Sequence, residues 1–267
     1  MTDGSTAPVT YDVTDGVARI TLNRPEAMNA LDAATKEALR SAVEEAGSDA
    51  SVRAVVIGGT GKAFCVGQDL REHVDNLQSR SMEEVWSTVP EHFTPIARGI
   101  AGMPKPVIAA VNGVAAGAGA SIAFLCDFRL VADNAGFNLA FAGIGLSCDT
   151  GASWTLPRLV GREKALELLM LPRTVTAQEA VELGIATRVV AADKLEDDVA
   201  TFAAELAQGP TVAYGALRRS VSYAATHTLE ETLDFEGQMM ALTGSSDDHQ
   251  NAVKSFMGKE KPTFEGH

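Results

Sequence analysis

Residues 107–125 read VIAAVNGVAAGAGASIAFL. The apolar run 107–111 follows Pro104 and Pro106 and passes through Asn112-Gly113 into a stretch made almost wholly of glycine and alanine. From Gly119 to Leu125 the pattern is helical, and a further apolar run, 128–132, comes directly after it. Short continuous apolar runs bounded by glycine or proline are what parallel strands covered on both faces require. Strand, helix and strand succeed one another in the βαβ manner, so the fold class is α/β.

The same signals continue on either side. Residues 54–57 are apolar and are stopped by Gly58-Gly59, which predicts another buried strand. Residues 17–22 alternate after the turn signal Asp15-Gly16, as a half-buried strand does, and Asn23-Arg24-Pro25-Glu26 ends them. Asp32 is the expected N-cap of a helix over 35–46 that carries Leu39, Val43 and Ala46 on one face and stops at Gly47 as a C-cap. From Arg162 onward the spacing predicts helices at 163–171, 176–183, 194–208, 211–225, 228–242 and 247–257, with Val189-Val190 the only strand-like interruption. Thr176 with Glu179 has the form of a capping box. The expected organisation is an α/β core over 1–200 and a helical region over 201–267, which either covers the core or meets another subunit. Residues 1–8 are small and polar and read as a frayed tail.

Composition removes several classes of function. No apolar run among the 267 residues is long enough to cross a bilayer, and the start lacks a basic, then apolar, secretory pattern. Cys65, Cys126 and Cys148 are odd in number and have no metal-ligand spacing, which suggests neither disulfides nor a metal site and fits a reducing cytoplasm. A net charge of −13 argues against nucleic acid or an anionic membrane as the main partner. An anionic small ligand would need local cations, for which Arg24, Lys62, Arg71, Lys259 and Lys261 are candidates.

Two segments point to chemistry. GKAFCVGQDL at 61–70 follows the strand at 54–57, and VNGVAAGAGA at 111–120 lies between a strand and a helix. Side chains this small let backbone amides approach a ligand, and the second loop adds the positive end of a helix dipole. Two N–H groups converging on one point form an oxyanion hole, the site that enolate chemistry needs. Tight strand-to-helix packing is the alternative use of such glycines. The spacing of Gly113, Gly117 and Gly119 does not match a dinucleotide fingerprint.

AFCVGQDL and AVNGVAAGAGA, together with NRPEAMNALD near the start and SFMGKEKPTF near the end, resemble four motifs of the enoyl-CoA hydratase/isomerase (crotonase) superfamily. The resemblance covers essentially the whole chain. It implies a spiral of ββα units with a helical C-terminal trimerisation region, an acyl-coenzyme A substrate, and a homotrimer or homohexamer. It puts the oxyanion-hole amides at Gln68 and Ala118, where only the backbone is required. It also puts the coenzyme A part of the substrate against Ala27, Phe64, Val66, Gly67, Asp69, Leu70 and Gly119. No metal and no separate cofactor is implied.

The sequence departs from the hydratases at their two glutamate positions, which by resemblance are Ser121 and Phe141 here. What it offers instead is Asp149, in GLSCDTGASW at 145–154, which resembles the proton-shuttling aspartate of isomerase members and in particular of 1,2-epoxyphenylacetyl-CoA isomerases. A carboxylate among Phe141, Leu146 and Trp154 would be desolvated and its pKa raised toward a useful range. Its other reading is a turn or N-cap aspartate before Thr150-Gly151. His73 and His92 read as surface histidines, and Ser147 lacks a nucleophile-elbow context. The expected activity is double-bond migration or epoxide opening on a CoA thioester. The alternatives are an enoyl-CoA hydratase, a dehalogenase-like relative with a nucleophilic aspartate, and a non-catalytic CoA-binding protein. The acyl specificity is expected to depend on residues 73–99.

Overall fold

The computed structural model describes residues 7–267, so residues 1–6 of the expected tail lie outside the described residues. Val9 already belongs to β1 (Val9–Thr14), which pairs antiparallel with β2 (Val17–Leu22). Six strands form the first sheet, in the order β1, β2, β3 (Ala54–Gly59), β5 (Val107–Val111), β7 (Phe128–Ala132) and β10 (Arg188–Val190), parallel from β2 onward. Every residue of β5 and the first five of β3 are buried, which is why these runs are apolar without alternation. β2 alternates in burial as its sequence does.

A second, four-stranded sheet runs β4 (Ala63–Cys65), β6 (Val114–Ala116), β8 (Gly136–Asn138) and β9 (Thr174–Thr176). Neither β4, β6, β8 nor β9 was marked by the sequence pattern, because three residues are too few to display a period. Read along the chain, β3 is followed by β4, β5 by β6 and β7 by β8. Each turn of the spiral therefore adds one parallel strand to each sheet. The loops leaving β4, β6 and β8 consequently emerge side by side, and that stacking assembles the site.

α1 (Ala33–Ser48) starts where Asp32 accepts the Thr35 N–H at 2.8 Å. It does not stop at Gly47 but runs one residue further, and Lys105 donates to the carbonyls of Ala46 and Asp49 at its end. With the terminal carbonyls satisfied by a side chain, no left-handed glycine cap is needed. After β4 come α2 (Leu70–Ser79), α3 (Met82–Trp86) and α4 (Thr94–Gly102). α5 (Ala118–Leu125) follows β6, and α6 (Ala152–Val160) and α7 (Arg162–Met170) follow β8. Thr176 caps α8 (Ala177–Glu182), but Glu179 is taken by Arg173, so the expected capping box is half made.

The expected boundary at residue 200 falls inside α9 (Leu195–Ala207), whose Val199 and Ala203 are part of the core. α10 (Thr211–Ala224) also sits on the core, with Arg218 paired to Asp127 at 2.7 Å. The helices that stand off it are α11 (Leu229–Gly244), which buries only Thr232, and α12 (Asp247–Gly258). The chain then returns, and the Phe264 carbonyl accepts from Arg53 at 2.9 Å. No helix among the described residues is long and apolar enough to cross a membrane.

Candidate active site

Val66-Gly67-Gln68-Asp69 leaves β4 against the beginning of α5. Gly67 has φ +84°, and a Cβ there would lie 3.0 Å from the Ala116 carbonyl and 3.1 Å from the Ala118 nitrogen. A Cβ on Gly119 would lie 2.1 Å from the Cys65 carbonyl. Successive turns of the spiral touch backbone to backbone here because neither position carries a side chain. Of the two uses of glycine weighed from the sequence, close packing is the one seen directly here.

Ala118 is the first residue of α5, so its N–H has no intrahelical acceptor. Among the described residues it donates to no other group, and neither does the N–H of Gln68. Gln68 and Ala118 line one cavity of about 440 Å³ with Val66, Gly117, Phe141 and Asp149. Its remaining wall includes Trp86, Val89 and Phe93, from the segment between α2 and α4, and Leu146.

Asp149 arrives in the third loop, the one that leaves β8. Thr150 (φ +51°) and Gly151 (φ +81°) are both left-handed, an uncommon state for a β-branched residue, and they turn the chain beneath it. The carboxylate accepts from Thr150 Oγ1 at 2.8 Å and does not cap α6, whose N-cap is Gly151 with no side-chain hydrogen bond. Burial raises the Asp149 pKa above the usual carboxylate value, opposed by the Thr150 hydroxyl and by the charge of Lys36. Phe141 and Leu146 are the apolar neighbours the sequence suggested, but Trp154 is not. Its ring is on the outer side of α6, where it stacks on Arg158 at 4.1 Å and lines a different cavity.

Neither position that the resemblance assigns to a hydratase glutamate offers a base. Ser121 is fully buried and donates to the Gly117 carbonyl, while Phe141 presents its ring to the cavity. Among the described residues, Asp149 is the only carboxylate lining this space.

The residues expected to meet coenzyme A are spread more widely. Val66 and Leu70 line the cavity. Phe64 is fully buried in the core, and Ala27 is half-buried in the short turn Pro25–Ala27. Asp69 caps α2, accepting from the N–H groups of Arg71 and Glu72, and pairs with Arg24 at 3.1 Å. Burial works against its ionisation, yet these hydrogen bonds and Arg24 hold its pKa below the ordinary value. Arg24 also pairs with Asp32 at 3.1 Å, so this candidate cation is a clasp between loops. Lys62, Arg71, Lys259 and Lys261 are exposed.

Sequence reasoning placed His73 on the surface, whereas it lines the cavity with its ring 5.5 Å from that of Trp86. His92 is half-buried, with Nδ1 3.2 Å from the Thr88 hydroxyl. Lys36 was missed altogether. It lies on the buried face of α1 with Leu39, Val43 and Ala46, and a lysine on that stripe was the available signal. Its ammonium donates to Gln68 Oε1 at 3.1 Å and Thr88 Oγ1 at 2.7 Å. The side chain of Gln68 is thus engaged, although only its backbone was expected to matter. Cys65, beside Gly67, is fully buried, which pushes its thiol up to about 12 and leaves it no nucleophilic role.

The family model for enoyl-CoA hydratase/isomerase matches residues 12–267. The 1,2-epoxyphenylacetyl-CoA isomerase of Escherichia coli is 37% identical over 95% of this chain and 97% of its own length. A Rhodobacter capsulatus protein described as "Probable enoyl-CoA hydratase" is also 37% identical, over 97% of this chain and 98% of its own. The crystal structure of an enoyl-CoA hydratase/isomerase homologue from Mycobacterium abscessus superposes with a TM-score of 0.93 at 40% identity, covering 97% of this chain and all of that one.

Proposed function

This chain belongs to the enoyl-CoA hydratase/isomerase family and is an enzyme, and from that premise we propose that it isomerises an acyl-coenzyme A thioester by moving one proton with Asp149. The thioester oxygen accepts from the N–H groups of Gln68 and Ala118. Asp149 removes an acidic proton, and the charge it gives up appears on that oxygen as an enolate. Each amide donor contributes roughly 2.7–4 kcal/mol at the transition state. The resulting carboxylic acid returns the proton to a different atom, so that the double bond migrates, or the ring opens where the substrate is an epoxide. No water is consumed and no metal or redox cofactor takes part, coenzyme A being a portion of the substrate.

The observation that carries this reading is that, among the described residues, one cavity holds two unpartnered amides and a single carboxylate. Syn hydration requires a water fixed between two acid/base groups, and Ser121 and Phe141 supply neither. The test is a panel of 2-enoyl, 3-enoyl, epoxyarylacetyl and arylacetyl thioesters of coenzyme A assayed for isomerised and hydrated products. Isomerised products should dominate. Efficient hydration of crotonyl-CoA would overturn the reading in favour of a hydratase, and a covalent aspartyl intermediate in favour of nucleophilic chemistry.

A further inference from the structure

Lys36 is a buried cation for which the proton transfer as written has no use. It is 2% exposed and belongs to α1, not to any of the three loops that build the cavity. Its ammonium is gripped from three other elements: by Gln68 at 3.1 Å, by Thr88 at 2.7 Å and by Glu72 at 3.8 Å, with the Phe93 ring centroid at 5.3 Å. Gln68, Thr88 and Phe93 all line the cavity, so Lys36 stands directly behind the wall of the space that Asp149 enters. Withdrawing an ammonium from water is unfavourable unless its partners compensate. On the apolar face of a helix, leucine or methionine would pack without that cost.

We infer that Lys36 is a positioning residue for the proton transfer: it fixes Gln68 and Thr88 from behind and sets a positive charge at the wall of the cavity that Asp149 enters. The inference rests on Asp149 being the shuttle. During the reaction one negative charge passes from Asp149 to the thioester oxygen beside Gln68, and Lys36 neither gains nor loses a proton. A cation anchored to Gln68 at the wall of this cavity stabilises negative charge on either side of the transfer, and it is one of the influences that act against burial at Asp149.

Other charged groups share this lysine. Glu72 faces it from α2, Asp32 from the head of α1 and Asp149 from the third loop, and they support the charge that burial alone would suppress. Through Thr88 it reaches His92, whose Nε2 is 4.0 Å from Glu37. On the side of Asp149, the Thr150 hydroxyl and the backbone N–H of Asp149 itself are the neutral groups that favour ionisation, and Lys36 is the charged one. Glu72 therefore competes with Asp149 for the same charge.

The test is the pH dependence of kcat/KM for isomerisation in the wild type and in Lys36→Met, Lys36→Arg and Glu72→Gln. Lys36→Met should lose on the order of three- to tenfold on the acid side, with the loss shrinking as pH rises, because the ascending limb moves to higher pH. Lys36→Arg should bring the limb back toward the wild type. Glu72→Gln should move it to lower pH, since more of the lysine's charge then acts on Asp149. A loss in Lys36→Met that is equal at every pH is what a packing role gives, and it would overturn the inference. If circular dichroism shows Lys36→Met unfolded, the direction of the Glu72→Gln limb decides, and an unmoved limb overturns the inference. Asp149→Asn in the same assay separates the two readings. If it retains turnover, the shuttle assignment fails. If it abolishes turnover while the other variants leave the limb in place, only the role of Lys36 fails.

Discussion

At Asp149 two demands on a carboxylate oppose each other. A base must be ionised to take a proton, and burial beside Phe141 and Leu146 makes ionisation harder, raising the pKa against the pull of Thr150 and Lys36. The ascending limb of kcat/KM is accordingly expected above the ordinary aspartate value of about 3.9. Asp149→Asn keeps the shape and removes the basicity, and steady-state assays should show a loss of roughly 10²–10⁴ in turnover with acyl-CoA binding retained. The same shift has a consequence for stability. A carboxyl with a raised folded-state pKa favours folding in its protonated form, so its contribution is present below the unfolded pKa and is lost as pH rises through the folded one. The asparagine variant should therefore melt higher than the wild type at about pH 8, by on the order of 1–3 °C, and the advantage should vanish below about pH 4. A lower melting temperature at pH 8 would mean that the carboxylate is stabilised in the folded protein.

Among the elements, the start of α5 is where the proposed oxyanion site can be tested with least collateral damage. Gln68 is less suitable, because replacing it by alanine would also remove one of the acceptors of Lys36. Ala118 is the first residue of its helix, the position proline tolerates best, and Gly117 before it has the freedom a pre-proline residue needs. Ala118→Pro deletes the one N–H in question while leaving the helix its hydrogen bonds. Its far-ultraviolet circular dichroism should match the wild type, and kcat/KM should fall by about 10²–10³. Activity within a few fold of normal would remove Ala118 from the mechanism.

For the molecule as a whole, α11 and α12 carry the open question. Leu229, Leu233 and Met240 share one face of α11 and are 55–73% exposed, and Phe256 and Met257 at the end of α12 are 80% and 78% exposed. An apolar stripe of that size on a helix that buries only Thr232 is expected to meet another copy of the chain. Light scattering at micromolar concentration should give the mass of a homotrimer or homohexamer, and Leu233→Glu with Met240→Glu should lower it. A stable monomer in the unaltered chain would refute the expectation.

What could be read from the sequence was what a single element enforces on itself. Strands 17–22, 107–111 and 128–132 have the expected ends because their burial pattern is written in consecutive residues, and Asp32 caps α1 because its partner is three residues away. The glycine segments at 61–70 and 111–120 were legible for a similar reason, since only glycine fits the contacts they make. What the tertiary structure alone decided was which faces meet. The second sheet is made of three-residue strands whose pairing is set by the spiral, not by any period. Trp154, five residues from Asp149, turns to the opposite side of α6. Lys36 finds Gln68 and Thr88, 32 and 52 residues away, and so comes to stand behind the wall of the cavity. Periodicity records how deeply a residue is buried within its own element, whereas the register between elements decides what it is buried against.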